Sequence, residues 1–188
     1  MNDLPHGPHN ADHELRKAYN CLIESSVTFS SVGTQIKEIN PDEVQFMYKR
    51  AFTSHRKGHQ LAAERWARSA KHLARAFWHE AKIHFLQNQS YDIPFLVGAT
   101  AEEYNFRERL DTTVDLIQSV ENHLPAGKDS MPENMIQYLN RAKKFLEQAP
   151  DIKHELLQAE CIKAAHEYGR VIECLDLAYE ATEKDKAA

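Results

Sequence analysis

Residues 59–89 read HQLAAERWARSAKHLARAFWHEAKIHFLQNQ, a stretch without glycine or proline. At about 100° per residue, Trp66, Ala70, Leu73, Phe77, Ala81 and His84 fall on one side of a helix. Ala63, Ala67, Ala74, Trp78 and Phe85 lie beside them. Small residues along such an arc let a neighbouring helix approach closely, and the aromatic rings fill the gaps. The stretch therefore predicts one long central helix. Its opposite side carries Arg65, Arg68, His72, Arg75, His79 and Lys82 at steps of three and four, a basic stripe about 100° wide.

Outward from this helix, the remaining apolar residues also recur at helical spacing. Leu15, Tyr19, Leu22, Phe29, Val32 and Ile36 predict a helix from Ala11 to about Ile39, weakened in the middle by serines and Gly33. Asn40-Pro41-Asp42-Glu43 has the chemistry of a helix start: a capping side chain, proline at the first position and acids in the first turn. That helix runs through Val44, Met47, Ala51 and Phe52, and Gly58 is placed to end it. Thr100-Ala101-Glu102-Glu103 reads as a capping box for a helix ending near His123. Ser130-Met131-Pro132-Glu133 opens a fifth helix, and Pro150-Asp151 a sixth. No segment alternates as a strand does. The expectation is an all-α single domain of about six helices, a bundle or stacked hairpins, over 11–180. Residues 1–10 read as a flexible tail and 181–188 as a frayed, charged C-terminus.

With 188 residues, 6 glycines and 7 prolines, the chain is too short to need a second domain and too poorly punctuated for a β-sandwich. Its net charge of -5 conceals a polarity: residues 49–84 carry +7 and the remainder -12. Three cysteines, Cys21, Cys161 and Cys174, show no CxxC spacing. The last two would stand about 20 Å apart along one helix, too far for a disulfide. Free thiols, a start without the basic and apolar regions of a signal peptide, and no apolar run of about twenty residues lead to an expectation of a cytoplasmic chain off the membrane.

The hairpin MYKRAFTSHRKGHQLAAERWARSAKHLARA (47–76) resembles a single tetratricopeptide-type hairpin, with Met47, Ala51, Gly58, Ala63 and Ala70 at its large, contact and turn positions. Ser54 and Ala67 stand where that family has aromatics, and Arg75 where it has a terminating proline. The resemblance implies close helical packing. The same stretch is similar to HEPN domains through Arg65-(WARSAK)-His72. That resemblance implies RNA binding or cleavage at a dimer interface, with Arg65 and His72 as the catalytic pair, although Trp66 follows the arginine where active members have a polar residue.

Other chemistry finds no support. There is no Glu-x-x-His for a di-iron bundle, none of the four His-Glu dipeptides continues to HExxH, and no GxSxG or phosphate loop occurs. The cluster His6, His9, Asp12 and His13 has metal-binding residue types, but ordering a tail around an ion costs entropy. No metal or other cofactor is implied. The sequence favours a non-enzymatic protein–protein contact domain. Its expected surfaces are the basic face (Arg65, Arg68, His72, Arg75, His79, Lys82) and the loop Tyr91–Val97 with Tyr91 and Phe95. Its expected partner is an acidic protein surface or a second copy. A solvated stripe, and one paired to the chain's own acidic helices, are weighed beside that reading. Nucleic acid ranks lower because the overall charge has the wrong sign. A small-molecule pocket under Tyr91–Val97 comes third.

Overall fold

The computed structural model describes residues 10–32, 36, 39–88, 106–123 and 133–187. The architecture is all-α. The helices are α1 (Ala11–Val32), α2 (Pro41–Arg56), α3 (Gln60–Asn88), α4 (Phe106–His123), α5 (Glu133–Gln148) and α6 (Glu155–Ala187), with a 3-10 turn at Ala149–Asp151. Among the described residues there is no strand, and no helix is long and apolar enough to cross a membrane.

The start and stop of α2 follow from local chemistry. The Asn40 side chain accepts the Asp42 backbone N–H at 3.1 Å, and Pro41 supplies the first helical position. At the other end Gly58 adopts φ +83°, a left-handed turn that reverses the chain into α3. Its N–H donates to the His55 carbonyl at 2.9 Å.

The long helices α3 and α6 form the axis of the molecule. α1 and α2 pack on α3, while α5 and α4 pack on α6. Alanines set the close approach: Ala63, Ala67, Ala70, Ala74 and Ala81 of α3, and Ala164, Ala165 and Ala178 of α6, are fully buried. Large side chains close the gaps between them, with Trp66, Phe77 and Leu73 of α3 buried beside Tyr168, Ile162, Ile172 and Leu175 of α6. Fully burying each such side chain contributes about 1.5–3 kcal/mol. Where α4 crosses α6, Gly169 leaves room for two α4 side chains: a Cβ there would lie 2.8 Å from Ile117 Cδ1 and 2.9 Å from Leu116 Cδ2.

Several boundaries differ from the sequence expectation. α1 ends at Val32 rather than near Ile39; Ile36 and Ile39 are buried, so their periodicity marks core positions reached by non-helical chain. Pro150 serves a 3-10 turn, not the start of α6, because Ile152 is extended (φ -82°, ψ 116°) and the helix begins at Glu155. The C-terminus, expected to fray, is helical as far as Ala187. Ala181 is buried there, and Trp66 Nε1–H donates to Thr182 Oγ1 at 3.1 Å. The Thr100–Glu103 capping box, the Tyr91–Val97 loop, His6 and His9 lie outside the described residues.

Candidate functional site

Antiparallel packing of α3 against α6 brings two histidines of the basic stripe to two carboxylates. His72 and His79 are seven residues apart, as are Glu160 and Glu167, so each set shares one face of its helix. His72 Nδ1 stands 2.5 Å from Glu167 Oε2, and His79 Nδ1 stands 2.6 Å from Glu160 Oε2. Lys163 and Lys82 reach Glu160 Oε1 at 3.1 and 3.7 Å. Arg75 approaches Glu167 Oε1 at 3.8 Å. A second cluster lies toward α1, where Glu14 meets Lys71 at 2.9 Å and Arg68 at 4.0 Å, and Arg68 also grips Glu64 at 2.8 Å.

These contacts shift the titration of the buried groups. Burial alone would raise Glu160, but the hydrogen bond from His79 and the charges of His79, Lys82 and Lys163 hold it at about 2. Glu167 and Glu14 are held below the carboxylate range in the same way, against burial, by His72 and Arg75 and by Lys71 and Arg68 respectively. Burial lowers His72 in spite of the hydrogen bond and charge of Glu167. Burial likewise lowers Lys82. The thiols of Cys161 and Cys174 are pushed up to about 11 by burial, which removes them as nucleophiles near neutral pH.

The stripe is thus largely engaged by the protein's own acids. Arg68, His72, His79 and Lys82 face carboxylates of α1, α3 and α6, Arg65 is half-buried, and Arg75 remains 47% exposed. The HEPN-type pair is not presented to solvent as a pair: the His72 side chain is 12% exposed and bonded to Glu167. Tyr91 and Phe95 lie outside the described residues.

Two surface features escaped the sequence reading. The first is a cleft of about 660 Å³ where α1, α3, α4 and α6 meet, into which Arg75, Arg109, Lys163, His166 and Trp78 project. The second is an apolar face on α1 and α2. Tyr19, Ile23 and Phe52 are 45–49% exposed there, and the Tyr19 and Tyr48 rings sit 6.1 Å apart over a groove of about 440 Å³. Its sequence signal was available: Tyr19 and Ile23, and Tyr48 and Phe52, are both spaced by four, a stripe of its own on each helix.

No known protein family, curated protein or solved structure compared with the chain matches it.

Proposed function

We propose that this chain is a non-enzymatic helical interaction domain that associates with a second copy of itself through the α1–α2 face. The observation that carries the reading is the exposure of Tyr19 and Phe52 along one groove, with exposed Ile23 one turn beyond Tyr19 on α1. Exposed aromatic and aliphatic groups gathered in one patch are characteristic of contact surfaces, and aromatics are enriched at the centres of interfaces. A second copy is the occupant that fits the rim, because Asp12, which meets His55 at 3.1 Å, and Arg16 border the groove with charges of both signs. A patch of mixed sign can face itself about a two-fold axis without like-charge repulsion, whereas a rim of one sign would select an opposite partner.

The basic face over 65–82, expected to meet an acidic partner, is the weaker surface for that role. Five of its six side chains already face internal carboxylates, and drawing them away would leave buried Glu160 and Glu167 without their counter-charges.

Analytical ultracentrifugation over the micromolar range tests the proposal. Wild type is expected to sediment as a dimer. Ile23→Asp and Phe52→Asp, at half-exposed positions, are expected to sediment as monomers with unchanged helicity. A wild type monomeric throughout, or variants that remain dimeric, would overturn it.

A further inference from the structure

The cleft between α1, α3, α4 and α6 is separate from the self-association face and carries its own inference. We propose that it is a binding site for a small organic polyanion bearing phosphate or carboxylate groups, held between the Arg75 and Arg109 guanidinium groups with Lys163 at the base.

The argument begins with unused hydrogen-bonding capacity. A guanidinium has five donors arranged to grip a phosphate or carboxylate bidentately. Among the described residues Arg109 makes no ion pair and Arg75 makes one, with Glu167 at 3.8 Å. The two arginines come from different helices, α3 and α4, and face the same hollow. Lys163 of α6 joins them, already in contact with Glu160. Arg75 and Lys163 each stand beside one carboxylate, Glu167 and Glu160, while Arg109 is exposed on α4, and an anion with more than one charge can bridge the three.

The carboxylates facing the cleft fill that role only in part, for none of them pairs with Arg109 among the described residues. Glu167 is bonded to His72 at 2.5 Å and points its other oxygen toward Arg75, and Glu24 of α1 is exposed at the edge. Glu160 lies behind Lys163, its two oxygens engaged by His79, Lys163 and Lys82.

Size and lining favour an organic ligand over a bare ion. About 660 Å³ is the volume of a small-molecule site, within the roughly 300–1,000 Å³ usual for them. Trp78, Ala74 and Cys21 supply apolar wall for a carbon skeleton. Lys82 Nζ sits 3.6 Å from the centre of the Trp78 ring and holds that ring in place. His166 adds a hydrogen-bonding ring to the wall: burial lowers it against the opposing charge of Glu167, and the charges of Arg170 and Arg109 act in the same direction as burial. An anion in the cleft would raise it again.

Isothermal titration calorimetry on the full chain at low ionic strength, with pyrophosphate and with citrate as probes, tests the site. One-to-one saturable binding of at least one probe is expected, and the tighter probe identifies the preferred group. Arg109→Gln is expected to weaken binding about 10-fold or more, and Arg75→Gln/Arg109→Gln further, with helicity and melting retained. Lys184→Gln, far along α6, is expected to bind as wild type does. The His166 ring resonances are expected to titrate at higher pH in the presence of the probe. Absence of saturable binding by both probes, or equal losses in Lys184→Gln and Arg109→Gln, would overturn the proposal.

Discussion

Glu160→Gln tests whether the α3–α6 charge seam holds the fold together. The Glu160 side chain is 2% exposed and faces His79, Lys163 and Lys82. Its carboxyl moves from 4.5 to about 2 in the folded protein. A fall of that size corresponds to roughly 3 kcal/mol of stability at neutral pH. The figure is of the same order as the penalty for removing one partner from a buried ion pair, about 3–5 kcal/mol. Because the folded value lies below the unfolded one, the unfolded chain takes up the proton first as the pH falls. The contribution is therefore complete well above pH 4.5 and is lost as the pH drops toward about 2. Glutamine keeps the shape but has no charge to lose. Urea unfolding followed by circular dichroism at pH 7, 5, 3 and 2 should show Glu160→Gln less stable by ~3 kcal/mol at pH 7. The gap to wild type should close at the acid end. A loss below ~1 kcal/mol at pH 7, or a gap independent of pH, would refute the assignment of an ionised, cation-stabilised carboxylate.

Three further outcomes are expected. Gly169→Ala should lower the melting temperature, because a Cβ within 2.9 Å of Ile117 Cδ1 and Leu116 Cδ2 obliges those packed side chains to move. The strain of ~1–3 kcal/mol exceeds the helix-propensity gain of ~1 kcal/mol, and a stabilised variant would contradict this close crossing. Gly58→Ala should cost ~1 kcal/mol in chemical unfolding through backbone strain alone, since nothing lies within 4 Å of the added methyl. Arg68→Glu, which sets a third carboxylate against Glu14 and Glu64, should destabilise by ~2 kcal/mol or more. Arg75→Glu, at a half-exposed position, should stay within ~1 kcal/mol, and the reverse order in thermal melts would show the two environments to be misread.

The parts of the fold legible in the sequence were those determined by a few neighbouring residues. Asn40-Pro41 and Gly58 bound α2 through contacts within one turn, and the alanine arc of α3 announced a closely packed central helix. Tertiary context decided the rest. Pro150 carries a helix-start signal, yet the extended backbone at Ile152 turns it to another use. Ile36 keeps helical spacing in the sequence because it is buried, and burial does not require a helix. The basic stripe was visible, but its role depended on the register of α3 against α6. Matching intervals of seven, His72 to His79 and Glu160 to Glu167, were the available clue. The cleft was not legible at all, since Cys21, Trp78, Arg109 and His166 come from four helices whose lateral order no local pattern records.

The two tryptophans occupy different kinds of place. Trp66 is fully buried, edge-on to Tyr179 at 5.1 Å and bonded to Thr182. Trp78 borders the cleft beneath the Lys82 ammonium. The molecule therefore contains two natural fluorophores with separate duties. Trp66 emission should stay blue until the α3–α6 axis comes apart, while quenching of Trp78 by added iodide should follow access to the cleft in the folded state. Single-tryptophan variants would then allow occupancy and unfolding to be watched in one cuvette, without a label.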